Sequence, residues 1–128
     1  MPDQNYPVPL IGTEQVIHVP VSFETGELGE FPLPKLPYRV KLKRVDHVVT
    51  KALAATNDGT VTVKKGATTL ATVTVALSAA IGEEDTAPSP TGTPFETSDQ
   101  IRIATAKAAA GGKGLLALVL EILPSHSS

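Results

Sequence analysis

From Glu14 to Phe23 the chain reads EQVIHVPVSF, and Ile17, Val19, Val21 and Phe23 fall on alternate positions. A period of two places those four side chains on one face of an extended segment, which predicts a half-buried β-strand. Pro20 points to the opposite face and cannot donate to a ladder, so the strand is expected at a sheet edge or interrupted there. The following ETGELGEFPLPKLP, with Gly26, Gly29 and prolines at 32, 34 and 37, reads as a loop or extended strap. In PYRVKLKRVDHVVTKAL, Tyr38, Val40 and Leu42 alternate with Arg39, Lys41 and Lys43, but after Arg44 the apolar phase passes to Val45, His47 and Val49. A phase flip inside one strand predicts either a β-bulge or a strand that changes sheet at a corner, and both favour a two-layer β structure.

The clearest local signal is NDGTVTVKKGATTLATVTV at 57–75. Val61 and Val63 alternate with threonines, Lys65-Gly66 permits a tight reversal, and Thr69 to Leu77 alternates again through Leu70, Val73 and Val75. This predicts a hairpin whose valines share a core face and whose Thr62 lies beside Thr72 or Thr74 on the wet face. Residues 82–98, GEEDTAPSPTGTPFETS, are loop by composition, and a loop of that length in a compact domain usually serves a contact or a function. DQIRIATAK then predicts a strand with Ile101 and Ile103 inward, and AAAGGKG a flexible hairpin loop. The last element, GLLALVLEILP, is apolar on both faces: Leu116, Leu118, Leu120 and Ile122 on one, Leu115, Ala117, Val119 and Leu123 on the other. Its length and the preceding glycines favour a central strand over a helix, with the second face covered by the domain or by another subunit.

Six to eight strands with turn signals about every ten residues predict an all-β fold, a single-domain β-sandwich of jelly-roll or Greek-key type. At 128 residues the chain is the size of one domain. The first residues, MPDQNYPVPL, have three prolines and no periodicity, which predicts an extended N-terminal arm over 1–13. The sandwich is expected over 14–124 and a disordered tail over 125–128.

Composition narrows the chemistry. Cysteine and tryptophan are absent and only five residues are aromatic, so the core must be aliphatic and neither disulfides nor thiolate chemistry is available. No apolar run approaches the ~20 residues of a membrane helix, and the N-terminus lacks the basic and then apolar profile of a signal peptide. The expectation is a soluble, unexported chain. His18, His47 and His126 have no second ligand at metal-site spacing, and the two on strands read as satisfied structural histidines. Glu83-Glu84-Asp85 are consecutive, without the spacers a calcium loop needs, and read as a solvated loop. No serine sits in a glycine-flanked elbow, and neither glycine-rich stretch has the order of a phosphate loop. No enzymatic activity, cofactor or metal is therefore expected. Net charge is −2, which argues against wholesale nucleic-acid binding, yet six of the eleven basic residues lie between Lys35 and Lys51. The row Arg39, Lys41, Lys43 with Arg44 reads either as a solvated, edge-protecting face or as a surface for docking onto an acidic protein.

The order of these parts resembles a known family. A proline-bearing arm, a strand ending in VSF, the block PYRVKLKRVDHVVTKALAATNDGTVTVKKGATTLATVTVALSAAIGE, a loop ending in TPFETSDQIRI, and GGKGLLALVLEI are together similar to small head-decoration (cement) proteins of tailed bacteriophages. The resemblance implies a non-enzymatic structural protein on the outer capsid surface of a virion, made in the bacterial host cytoplasm, that bridges major capsid protein subunits. It implies self-association as well, with a homotrimer favoured over a homodimer, and neither nucleic acid nor membrane as partner. Capsid-contact candidates are Tyr6, Pro7, Val8, Pro9 and Leu10 of the arm with Arg39, Lys41, Lys43 and Arg44. Candidates for the oligomer interface are Leu116, Leu118, Leu120 and Ile122. The alternative is a phage tail or fibre component, or a receptor- or glycan-binding sandwich using the 82–98 loop.

Overall fold

The computed structural model describes residues 13–87, 90 and 93–124. The expected arm, apart from Thr13, and the expected tail lie outside the described residues. Nine strands are present among those described: β1 (Glu14–Ser22), β2 (Gly29–Pro32), β3 (Val40–Lys51), β4 (Gly59–Lys65), β5 (Thr68–Val75), β6 (Glu84–Ala87), β7 (Pro94–Phe95), β8 (Ile101–Ala106) and β9 (Lys113–Ile122). They form two antiparallel sheets, one in the order β1-β9-β3-β6 with β7 also on β3, the other β2-β8-β4-β5. The chain changes sheet at most connections and remains in one sheet through the β4–β5 hairpin and from β6 to β7. The fold is an all-β sandwich.

Local sequence accounts for most of this. β1 stands at an edge, as Pro20 requires, with Val19, Val21 and the following Phe23 buried. The phase flip in β3 is a bulge: Leu42 pairs with Leu120 and Arg44 with Val119, so Lys43 is the extra residue. One inserted residue turns Val45, His47 and Val49 back onto the face that Val40 and Leu42 occupy, and all five are buried. In the hairpin, Val61 pairs with Val73 and Thr62 with Thr72. Gly66 adopts φ +59° at the reversal, a conformation that costs glycine nothing. β9 lies between β1 and β3, and Leu116, Leu118 and Leu120 are fully buried in one core with Val61, Val63, Val75 and Ile103.

Three segments differ from expectation. Residues 82–98 are not simply loop, because Glu84–Ala87 pairs with Val45–Val48 and Pro94–Phe95 pairs with Val40–Lys41. Polar composition hid these strands: β3 needs a partner on its far side, and backbone pairing asks little of side chains when only Ala87 and Phe95 of these strands are buried. The strap includes β2, a four-residue edge strand on β8. Leu77 lies beyond the end of β5, where its backbone N–H donates to Asp58 Oδ1 at 3.0 Å, and it is exposed.

Two rings occupy the end of the core where Phe23 N–H donates to the Gly112 carbonyl at 2.8 Å and Gly111 N–H to the Phe23 carbonyl at 2.7 Å. Phe23 and His47 meet edge-on with centroids 6.2 Å apart. Each rests on a glycine of a different sheet. A Cβ at Gly59 would lie 2.9 Å from the Phe23 ring, and a Cβ at Gly114 would lie 1.9 Å from His47 Nε2. His47 is buried and neither ring nitrogen has a hydrogen-bond partner among the described residues, so it is not the satisfied histidine expected from sequence. Burial holds its pKa below the ordinary 6.5, with the Asp85 carboxylate opposing the shift in part from the paired position on β6.

Two outcomes follow from this end of the core. Gly114→Ala drives a methyl into the imidazole and should cost at least ~1–3 kcal/mol, read as a lower urea midpoint at unchanged slope; an unchanged midpoint would contradict the packing. The unfolded chain takes up a proton on His47 at higher pH than the folded chain does, so the neutral-histidine contribution is full above about pH 6.5 and falls as pH drops below it. The urea midpoint should therefore decline from about pH 7 to pH 5 by more in the native protein than in His47→Gln. Equal declines would show that His47 is not held neutral.

Candidate functional site

With the core closed, candidate contacts must lie on edges, outer faces and loop ends. Leu116, Leu118 and Leu120 have 0% exposure and Ile122 has 8%, so the expectation that they form an oligomer interface is corrected. A side chain without surface in the folded domain has nothing to offer a partner. The other face of β9 is the outward one. Leu115 and Ala117 are half-buried there, and neighbouring β1 adds Val16, which is 48% exposed. A shallow depression of about 230 Å³ opens over Ala117, flanked by His18, Asp46 and Glu84.

The basic row is largely neutralised within the domain. Arg39 Nε donates to Glu96 Oε1 at 2.9 Å and its Nη1 to the Pro124 carbonyl at 2.9 Å. Lys43 Nζ lies 3.5 Å from Glu121 and Arg44 Nε 2.9 Å from Asp46, while Lys51 pairs with Glu24 at 3.0 Å. Exposed pairs of this kind are worth well under ~1 kcal/mol each, but they cancel much of the field an acidic partner would sense. Lys35 and Lys41 have no ion-pair partner among the described residues. Periodicity identified the cations; the acids that meet them, Glu96, Glu121 and Glu24, come from other segments and could not be paired from sequence.

Position remains informative. The Thr13 carbonyl accepts from Ile122 N–H at 2.9 Å and the Arg39 carbonyl from Leu123 N–H at 2.9 Å, so Thr13 and Arg39 flank the end of β9 on its two sides. Thr13 therefore stands about two strand spacings, ~10 Å, from Arg39. Tyr6 to Leu10, the other contact candidates, lie outside the described residues.

Sequence reasoning missed a groove of about 480 Å³ between β1 and the segment running from β2 through Leu36. Ile17 and Val19 line it on one side, Phe31, Leu33 and Leu36 on the other, with Ile101 of β8 between the sheets. The available signal was FPLPKLP, where apolar residues recur among prolines that bar an ordinary paired strand. Leu33 N–H donates to the Ile101 carbonyl at 2.8 Å, which anchors the strap across the open flank.

Two carboxylates are strongly held. Glu24 is lowered from its ordinary range first by the Gly112 backbone N–H and then by Lys51, and Glu30 first by Arg102 and then by Lys64. Both tie segments together: Glu24 joins the loop after β1 to the loop before β9, and Glu30 joins β2 to β8 and β4. Lys107 is buried, and its ammonium donates to the Thr56 and Ala109 carbonyls at 2.5 and 2.6 Å. These cations and anions act as struts. Among the described residues no group of three His, Asp or Glu side chains is placed to hold a metal ion.

No protein-family model matches the chain, and no curated protein does either. Among solved structures it is similar to a chain of the Cyanophage Pam1 capsid asymmetric unit, with 17% identity, a TM-score of 0.50, and 97% of this chain and 98% of that one covered. A further match, at 14% identity and a TM-score of 0.40 over 98% of this chain and 88% of that one, is to a virus-like particle of the giant freshwater prawn Macrobrachium rosenbergii extra small virus. At 17% identity the likeness to the phage capsid chain is one of fold.

Proposed function

We propose that the protein is a non-enzymatic structural component of a tailed-phage virion, placed on the outer capsid surface, where it stabilises the head by bridging major capsid protein subunits. The observation that carries this reading is the strand order. Setting aside the two-residue β7, eight strands remain, and β1-β9-β3-β6 with β2-β8-β4-β5 supports assigning a jelly roll, an architecture shared by viral capsid and lectin domains. The end-to-end likeness to a chain of a phage capsid supports the same reading, as does a molecule whose charged groups serve mainly as internal struts. A lectin role is less well supported, because the 82–98 segment expected to bind a glycan spends six residues on β6 and β7 and the chain has no tryptophan to stack on a sugar.

In this reading the sandwich is a rigid support and the intersubunit contacts are made by the segment before Thr13, with Lys41 and the neighbouring Arg39 to Arg44 beside its exit. Self-association, with a homotrimer favoured, multiplies weak contacts into stable attachment.

Full-length protein should co-sediment with capsids lacking their own copy of it. A chain without residues 1–12 should keep its far-ultraviolet spectrum and urea midpoint yet remain in the supernatant. Undiminished sedimentation of the truncated chain would remove the arm from the account, and failure of the full-length chain to bind would remove the capsid.

A further inference from the structure

The flank of the sandwich between β1 and β2 is open: each is the last described strand of its sheet. The 480 Å³ groove lies in that opening, so an apolar trough runs beside a backbone edge that has no strand partner among the described residues. An extended peptide satisfies both, since its side chains fill the trough while its N–H and C=O groups continue the ladder.

The chain contains a segment of that kind. In YPVPLI at 6–11, Tyr6, Val8 and Leu10 share one parity and Pro7 and Pro9 the other. In an extended strand, residues of one parity share a face and turn their backbone groups toward the same neighbour. The odd residues of β1 turn their backbone groups to β9 and the side chains of Ile17 and Val19 to the groove, which leaves the backbone groups of Val16, His18 and Pro20 at the outer edge. An arm running parallel to β1 therefore lets Tyr6, Val8 and Leu10 offer N–H donors to that edge and apolar side chains to the groove. Both prolines then turn their donorless nitrogens outward, the placement proline requires at a sheet edge.

Connectivity decides whose arm this is. The Thr13 carbonyl is already bonded to Ile122 N–H, so the β1 ladder continues to Thr13 and a chain folding back on itself must reverse at or before Ile11-Gly12. A chain folding back on itself runs antiparallel to β1, where arm residues bonded to Val16 and His18 share their outer face, so Tyr6, Val8 and Leu10 cannot both join the ladder and fill the groove. The arm of another subunit has no such restriction, and twelve extended residues reach up to ~40 Å. Lys35, exposed at the groove rim without an ion pair among the described residues, supplies a cation for Asp3, the single charged side chain among residues 1–12.

We propose that residues 6–11 of a second copy of this chain lie along β1 in the groove against Phe31, Leu33 and Leu36, so that subunits are tied together by exchanged arms. This rests on the self-association in the reading above and not on capsid binding. Because each subunit donates an arm and receives one, the exchange closes as a dimer or a small ring.

The absence of cysteine makes the test direct. Two tagged full-length variants of different mass, Val8→Cys and Leu36→Cys, are mixed in the absence of capsids, oxidised mildly and separated without reductant. A mixed disulfide dimer is expected, and it should be lost when Thr72→Cys on the exposed face of β5 replaces Leu36→Cys. Should Leu36→Cys fold poorly, Lys35→Cys at the rim probes the same groove without touching the core. A mixed dimer no stronger than the Thr72→Cys control overturns the proposal. So does a Val8→Cys/Leu36→Cys double variant that yields only an intrachain disulfide, which would put each arm in its own groove. Either failure leaves the sedimentation result standing, since no capsid is present.

Discussion

The structure depends on the burial of β9. Both of its edges are hydrogen-bonded, to β1 and to β3, and its inward leucines at 116, 118 and 120 reach into a core shared with Val61, Val63 and Val75. Fully burying such side chains is worth roughly 1.5–3 kcal/mol each, which makes this strand the element whose loss the fold would tolerate least. Its placement also decides where function can be. Once the doubly apolar strand is spent on the core, contacts must come from outer faces, the open flank and chain ends.

Strand positions were legible where period two was clean. β1, β4, β5, β8 and β9 were each visible as alternating or doubly apolar runs, and the bulge at Lys43 was visible as a phase flip. β2, β6 and β7 were not, because they are too short to show a period of two and their pairing is enforced by neighbours rather than by their own side chains. For β9, sequence showed that both faces were apolar and could not show which one the domain would claim. The inward set, Leu116 to Ile122, was assigned to a partner when it belongs to the core.

Pairwise chemistry was the least legible layer. His47 was placed on the correct face, but the glycine beneath it, Gly114, sat in a stretch that read as a flexible loop. A ring takes up volume that only the opposing strand can yield, and that relation joins residues sixty-seven positions apart in sequence. The basic row has the same character: Arg39 to Arg44 are adjacent, while Glu96 and Glu121 converge on Arg39 and Lys43 through the fold. What sequence presented as an exposed cationic surface is largely a set of internal struts, and the groove on the open flank, built from β1, the strap and β8, had no single segment to announce it.

In the proposed function, the rigid β-sandwich serves contact between the subunits of a larger assembly. The most direct measurement is a cryo-electron-microscopy reconstruction of capsids bearing this chain, at a resolution that traces strands. The account predicts the β-sandwich on the outer surface of the shell, with density from the segment before Thr13 passing to a neighbouring subunit. A shell with the sandwich wholly inside, or with no ordered copy of it, would contradict that account.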